Sequence, residues 1–162
     1  MRIAVVADTH MPRGGRRLPD ECLRRLERAD LILHAGDVVA RSVLEELAGL
    51  APVEAVIGNM DEPALRAALP ERRVVEVEEA RIGMLHDPGP SAGREARLAR
   101  GFDDCDAVVY GHTHIPQVVR HGGIWILNPG SPTERRRAAA RSMLVLEVSG
   151  RGIEPELVEL AA

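Results

Sequence analysis

The 162-residue sequence contains few aromatic residues: one Phe, one Tyr and one Trp. Its formal net charge is −4 at pH 7, and all of its basic residues are Arg. Proteins that hold long nucleic acids use a basic surface, aromatic rings on which bases stack, or both. The composition therefore argues against a long nucleic acid as a partner.

Cysteine and long apolar runs are scarce as well. Cys22 and Cys105 form no CxxC pair, so we expect two free thiols in a reducing compartment. No apolar run approaches the roughly 20 residues that a membrane helix needs, and the first residues favour a strand over a signal peptide. We expect residues 1–162 to form one domain, without a membrane partner and located in the cytoplasm.

Short apolar runs alternate with amphipathic helical segments up to about residue 115, after which strand follows strand. Alternating strand–helix units followed by hairpins favour a mixed α/β sandwich over a purely doubly wound sheet. The predicted strands cover 2–7, 31–35, 53–57, 73–78, 81–85, 106–110, 117–121, 124–127, 142–148 and 152–159, and the predicted helices cover 19–29, 40–49, 62–69 and 91–100.

Polar residues of a narrow chemical range stand where five of these apolar runs end. In open α/β sheets the carboxyl ends of the strands meet on one rim, and residues i and i+2 of an extended chain point to the same side. We therefore expect these side chains in one pocket. They are Asp8 and His10, Asp37, Asn59, His86, and His112 with His114.

Carboxylates, imidazoles and an amide are costly to bury unpaired, but a metal ion satisfies them. Because no thiolate is among them, they favour Mn, Fe, Zn, Co or Ni over an iron–sulfur cluster or Cu(I). Seven ligands are too many for one tetrahedral zinc. They suit two divalent ions about 3.5–4 Å apart, bridged by one carboxylate. By itself, the pair His112 and His114 would be equally typical of a polar strand end with two surface histidines.

The charge of such a centre indicates a class of substrate. Two divalent ions, two aspartates and a bridging hydroxide leave a net charge of about +1. This charge attracts a phosphate oxygen and stabilises the negative charge that grows during an in-line displacement. The ligand count thus favours phosphoryl chemistry.

The ordered set of motifs resembles the calcineurin-like metallophosphoesterase superfamily over nearly the whole chain. The motifs are Asp8-x-His10, Gly36-Asp37, Gly58-Asn59, His86 and Gly111-His112-x-His114. The short length and the segments 8–12 and 128–131 are similar to its small bacterial and archaeal phosphodiesterase branch. The resemblance implies a four-layer α-β-β-α sandwich with a dimetal site at its rim, manganese being the first metal to test.

The resemblance also implies a division of the ligands between two ions and a mechanism. A metal-bound hydroxide would attack the phosphorus of a small phosphodiester in line, with Asp37, Asn59, His112 and Asp61 contributing to catalysis. One ion would take Asp8, His10, Asp37 and His114, and the other would take Asp37, Asn59, His86 and His112.

Met60 departs from the family pattern, which commonly has His next to the asparagine of the third motif, near the leaving group. Met cannot donate a proton, and Asp61 at its ordinary pKa would be ionised and a poor acid. We therefore expect slow turnover or a preference for good leaving groups. Asp87 replaces the usual Gly after His86, and it could orient His86 or begin a turn, the turn being favoured.

The roles of several other residues also follow from the pattern. We interpret His34 as a hydrogen-bonded interior residue, His121 as exposed, and Tyr110 and Trp125 as core or interface residues. Segment 135–137 is interpreted as a solvated loop, with binding of an anionic substrate as its alternative. Segment 128–131 is typical of a turn.

Two alternatives to a phosphodiesterase remain open. One is a phosphomonoesterase, including one that acts on phosphoproteins. The other is a scaffold like the retromer subunit that resembles this family, although that subunit has lost some ligands and this sequence retains all seven. A late exposed strand or Trp125 could also serve a homo-oligomer.

Overall fold

The computed structural model describes residues 1–161, which form ten strands and four α-helices. A 3₁₀ turn, Arg13–Gly15, follows the first strand. The strands are β1 (Arg2–Val6), β2 (Leu31–His34), β3 (Val53–Ala55), β4 (Arg72–Val77), β5 (Ala80–Leu85), β6 (Ala107–Val109), β7 (Gln117–His121), β8 (Ile124–Asn128), β9 (Arg141–Ser149) and β10 (Gly152–Leu160). The helices are α1 (Asp20–Glu27), α2 (Arg41–Ala48), α3 (Pro63–Ala68) and α4 (Arg94–Gly101).

The strands form two mixed sheets of five. The order is β10-β9-β1-β2-β3 in the first sheet and β4-β5-β6-β8-β7 in the second. β1, β2 and β3 are parallel, as are β5, β6 and β8, while the antiparallel strands lie outside them. The predicted sandwich of two mixed sheets flanked by helices is confirmed.

Alternating side chains of β1 explain the layers. Ile3 and Val5 pack into a core that also contains side chains of the second sheet, such as Ile82. Ala4 and Val6 point the other way and pack against side chains of α1 and α2. A strand covered on both faces is apolar at nearly every position, which is why this run shows no polar alternation.

The parallel strands bring the polar turns together. The turns after β1, β2 and β3 lie at one end of the first sheet, and those after β5 and β6 lie at the corresponding end of the second. A contact joins the two ends, because the His112 backbone N–H donates to Asp8 Oδ2 at 2.9 Å. The site therefore sits where the rims of both sheets meet.

Trp125 and Tyr110 are core residues. Tyr110 is buried, and Trp125 packs against the core between the sheets while its Nε1 donates to the Ile153 carbonyl in the first sheet. His121 is exposed, as predicted. Helix α4 begins at Arg94 rather than at residue 91, because Gly93 adopts a left-handed conformation with φ of +67°. In residues 1–161, no helix is long and apolar enough to cross a membrane.

Gly83 in β5 packs against Phe102, the residue after α4, and this contact gives a stability prediction. A Cβ at Gly83 would overlap the buried ring of Phe102, so Gly83→Ala should lower the free energy of unfolding by about 1–3 kcal/mol. The matched control is Gly101→Ala, whose Cβ would meet Arg72 Nη1 at an ordinary 3.5 Å and should be neutral or stabilising. Denaturant unfolding measures both, and equal losses for the two variants would contradict this account.

Candidate metal centre

Two carboxylates and three imidazoles face one another at the rim. Asp8 Oδ1 lies 3.8 Å from Nε2 of both His10 and His86, and 3.5 Å from His114 Nε2. Asp37 Oδ2 lies 3.4 Å from His10 Nε2 and 3.2 Å from His86 Nε2. These contacts define two groups whose ligand atoms are close enough to hold a metal ion: Asp8 with His10 and His114, and Asp8 with Asp37 and His86.

The hydrogen bonding of these groups fits a metal ion. All five residues are buried. Within residues 1–161, only three buried side-chain N or O atoms lack a hydrogen-bond partner, and two of them, Asp8 Oδ1 and His10 Nε2, face each other here. An unsatisfied buried carboxylate oxygen is costly, and a divalent cation satisfies both atoms at once.

Backbone carbonyls set the orientation of two of the rings. His86 Nδ1 donates to the Ala35 carbonyl at 2.7 Å, and His114 Nδ1 donates to the Glu134 carbonyl at 3.1 Å. A neutral ring that donates from Nδ1 carries its free lone pair on Nε2, so both rings offer Nε2 to the centre. Asn59 Oδ1 lies 3.0 Å from His86 Nε2, which adds another lone pair to the same point.

The surroundings of the centre stabilise the negative charge of Asp37. Burial alone would raise the pKa of Asp37, but the hydrogen bond and charge of His86 and the N–H of Met60 together lower it to about 2. Burial also opposes the charged form of His86, yet Asp37 and Asp8 outweigh it and raise the pKa of that ring. Burial lowers the pKa of His114. Asp37 is therefore ionised throughout the physiological range.

The backbone is strained at the candidate ligands. Among residues 1–161, five of the eight non-glycine residues with positive φ belong to the ligand set. Asp and His tolerate the left-handed region better than most residues, but each such residue still costs about 1–3 kcal/mol. The strained turns aim the side chains inward at the strand ends. The five are Asp8 (+55°), His10 (+46°), Asp37 (+59°), His112 (+73°) and His114 (+61°).

His112 and Asn59 lie on the exposed side of this cluster. The His112 ring stands edge-on to the His86 ring at a centroid distance of 5.3 Å. Among the described residues, neither group of potential ligands includes His112. The structure thus brings all seven predicted ligands to one place, five of them buried and two on the rim.

Asp61 lies behind the centre. Its Oδ1 accepts the Val39 N–H and its Oδ2 accepts the Gly58 N–H, both at 2.7 Å. Burial raises the pKa of this carboxyl group against those two hydrogen bonds. A Cβ at Gly58 would overlap Asp37 Oδ1, so the turn must pass close to that carboxylate. Asp61 ties the turns that carry Asp37 and Asn59 together.

Arg66 supports the same turn and was not singled out from the sequence. Its Nε donates to the Asp61 carbonyl at 3.0 Å, and its Nη2 donates to the Asn59 carbonyl at 2.5 Å. One arginine among 21 basic residues gives no signal of this role.

Segment 128–131 joins the first and last motifs. The Asn128 amide donates to the Gly111 carbonyl at 3.3 Å and to Thr113 Oγ1 at 3.0 Å. Ser131 Oγ donates to the Asp8 carbonyl at 2.8 Å. The sequence predicted a turn, and the available signal for a further role was that the chain contains only two Asn residues, Asn59 and Asn128. The turn thus holds the backbone on both sides of the centre.

Asp87 and His34 are not ligands. Asp87 is exposed and its Oδ1 accepts the Gly89 N–H, which confirms the favoured turn. His34 is fully buried, with Nδ1 accepting the Gly36 N–H and Nε2 lying 3.1 Å from Thr9 Oγ1. Burial lowers its pKa to about 4. The prediction of a hydrogen-bonded interior histidine is confirmed.

Two cavities open beside the centre, and Asn59 lines both. We call the cavity of about 260 Å³ the basic cavity and the cavity of about 390 Å³ the side cavity. Within segment 135–137, Arg136 lines the basic cavity, whereas Arg135 donates to the Ala138 carbonyl. The basic cavity is lined by His10, Arg13, Arg16, Asp37, Asn59, Met60, His112, His114, Glu134 and Arg136, and the side cavity by Ile57, Gly58, Asn59, Arg66, Glu71, Arg72, Leu85, His86 and Asp87.

Known proteins resemble the chain over its whole length. It is 35% identical over 164 residues to a probable metallophosphoesterase of Methanothermobacter thermautotrophicus, covering 100% of this chain and 94% of that one. A Thermotoga maritima protein solved by NMR is 34% identical with a TM-score of 0.76, covering 98% of this chain and 99% of the other. Wild-type Vps29 of Entamoeba histolytica, in a structure described as complexed with Zn²⁺, is 26% identical with a TM-score of 0.79 and the same coverage.

The family model supports the same assignment. The model of the calcineurin-like phosphoesterase superfamily domain matches residues 1–151, which contain every candidate ligand. The relatives, the sandwich and the buried Asp and His groups all agree with this match. The chain belongs to the calcineurin-like phosphoesterase superfamily.

Proposed function

We propose that the protein is a dimetal phosphodiesterase that hydrolyses small phosphodiesters. The observation that carries the proposal is the pair of unpartnered buried atoms, Asp8 Oδ1 and His10 Nε2, at the centre of a larger ligand set. Membership of a phosphoesterase family makes phosphoester hydrolysis the reaction to test first.

The contacts support a division of the ligands between two ions. Asp37 Oδ2 lies within 3.4 Å of Nε2 of both His10 and His86, closer than Asp8 Oδ1, which lies 3.8 Å from each. We therefore assign the bridge to Asp37. One ion would take Asp8, His10, Asp37 and His114, and the other would take Asp37, Asn59, His86 and His112. Oxygen and imidazole ligands without thiolate suit Mn²⁺, our first choice, and also Fe, Zn, Co or Ni.

The protein's own groups would bind and orient the ester. When bound, divalent ions supply Lewis acidity and an activated water. In the reaction one P–O ester bond breaks, the oxygen of water bonds to phosphorus, and the alcohol leaves with a proton. We place Asn59 and His112 beside the phosphoryl oxygens because both are exposed at the rim. Asp61 has a positioning role, since both of its oxygens accept backbone N–H groups.

The two cavities favour a diester over a monoester. A phosphodiester carries two organic substituents and a monoester carries one. Asn59 lines both the basic cavity and the side cavity, so each cavity could hold one substituent of a diester. A monoester would leave one cavity without a substituent.

A scaffold is the second candidate, and the likeness to Vps29 favours it. Metal binding alone does not separate the two, because the Entamoeba histolytica Vps29 structure is itself described as complexed with Zn²⁺. Against a scaffold stands the complete set of seven ligands in this sequence. Catalysis, rather than metal content, is the discriminating measurement.

Metal removal and Asp37→Asn test the centre. Metal-stripped protein should not hydrolyse bis(p-nitrophenyl) phosphate, and Mn²⁺ should restore the activity. Asp37→Asn should reduce kcat/KM by more than about 100-fold, because replacing a residue that only hydrogen-bonds to a metal ligand already reduces metal affinity or activity by about 10–100-fold. The control is Asp103→Asn, which removes an exposed carboxylate that lines neither cavity and should keep its activity. Full activity in Asp37→Asn would refute the bridging role.

Met60→His tests the missing proton donor. Met60 lines the basic cavity but has no proton to give. The substitution should raise kcat/KM for diesters with an alkyl leaving group by about 10²–10⁴, the usual contribution of general acid catalysis. It should have little effect on p-nitrophenyl esters, whose leaving group needs no proton. Met60→Leu is the control, and equal rates for both variants on alkyl esters would count against the idea.

Substrate preference tests the two-cavity argument. The kcat/KM for bis(p-nitrophenyl) phosphate should exceed that for p-nitrophenyl phosphate by about tenfold or more, the range that one filled pocket gives. Leu85→Phe adds bulk at the side cavity and should lower the ratio of kcat/KM for the diester to kcat/KM for the monoester. Val119→Phe, on the exposed edge strand β7, should leave it unchanged. A preference for the monoester would shift the assignment to a phosphomonoesterase.

A further inference from the structure

The basic cavity carries more positive charge than a simple diester requires. Besides the candidate ligands, its lining includes three guanidinium groups and one carboxylate, a surplus of two positive charges. A phosphodiester group carries one negative charge, and the metal centre already attracts it. The surplus therefore fits an additional anionic group on the substrate.

The three arginines are not equivalent. Arg16 is held in place, because its Nη2 lies 3.3 Å from Glu134 Oε1 and its Nη1 donates to the Arg13 carbonyl at 2.8 Å. Arg136 Nε lies 3.6 Å from the same Glu134 oxygen, and its side chain is 51% exposed. The Arg13 guanidinium makes no hydrogen bond or ion pair with residues 1–161. Arg13 and much of Arg136 remain available to a ligand.

Arg13 and Arg136 line the basic cavity but do not belong to the candidate ligand set. The candidate ligands Asp8, Asp37 and His114 are buried, whereas both arginines are exposed. Because the metal centre is the expected site of the scissile phosphate, we assign a group bound by these arginines to a substituent of the diester.

The side cavity is less suited to an anion. The Arg66 guanidinium donates to the carbonyls of Asn59 and Asp61, and Arg72 lies 3.8 Å above the Phe102 ring and donates to a backbone carbonyl. The same cavity contains the carboxylate groups of Glu71 and Asp87 and the apolar side chains of Ile57 and Leu85. The two substituents of the diester are thus expected to differ in charge.

We propose that the substrate is a phosphodiester in which one substituent carries a second anionic group, such as another phosphate, bound by Arg13 and Arg136. This proposal rests on the proposed phosphodiesterase function and names its substrate class. Guanidinium groups suit the role because they form paired, charge-assisted hydrogen bonds with phosphate oxygens.

A matched pair of chromogenic esters tests the proposal. Thymidine 5′-(p-nitrophenyl phosphate) is compared with the same ester carrying a 3′-phosphate, so that the substrates differ only in the second anion. The 3′-phosphate should lower KM by about tenfold, the effect of one charged hydrogen bond, and added salt should reduce the difference. Arg13→Ala should bring the KM ratio close to one, and Arg13→Lys should restore part of it.

Arg17→Ala is the matched control. Arg17 belongs to the same loop, is exposed and carries the same charge, but it does not line the basic cavity. The KM ratio of this variant should equal that of the parent protein. If Arg13→Ala and Arg17→Ala reduced the KM difference between the two esters equally, the effect would be one of general charge. This result would overturn the specific site.

Calorimetric binding of products separates this proposal from the proposed function. Thymidine 3′,5′-bisphosphate should bind more tightly than thymidine 5′-monophosphate, and Arg13→Ala should remove the preference. Hydrolysis of both esters with equal KM and equal product affinity would overturn the anion site and leave the phosphodiesterase intact. A product preference that depends on Arg13 without any hydrolysis would support the anion site and contradict the phosphodiesterase.

Discussion

The structure depends on holding two buried carboxylates, Asp8 and Asp37, around the same imidazoles. Both lie within 3.8 Å of His10 Nε2 and of His86 Nε2. Like charges placed so close in a buried site repel each other unless positive charge and hydrogen bonds compensate. The N–H groups of Met60 and His112 supply part of that compensation. The two unpartnered atoms show where the rest must come from, namely a cation.

Much of the surrounding structure keeps this arrangement in place. The left-handed turns aim the ligands inward, and Gly58 lets its turn pass beside Asp37. Asp61 and Arg66 fasten one turn, while Asn128 and Ser131 fasten the first and last motifs. These contacts are made by the protein's own groups. Such preorganisation is what a metal site needs to bind tightly and select its geometry.

The apolar runs of the sequence were sufficient to predict the strands, and the polar residues after them were sufficient to predict which side chains meet at the rim. Both predictions rest on local patterns, since a buried strand needs apolar residues and its end needs turn residues. The fastening contacts could not be predicted in this way. Ser131 reaches Asp8 across 123 positions of sequence, and an arginine such as Arg66 looks like any surface residue. The two cavities also arise only where the rims of the two sheets meet, because residues that follow strands of both sheets line them.

The measurement that tests the central claim most directly is electron paramagnetic resonance of the protein loaded with Mn²⁺, combined with a count of bound metal. If Asp37 bridges two ions a few ångströms apart, the chain should bind about two Mn²⁺ and give a spin-coupled dimanganese spectrum. One Mn²⁺ per chain with the signal of an isolated ion would contradict the account.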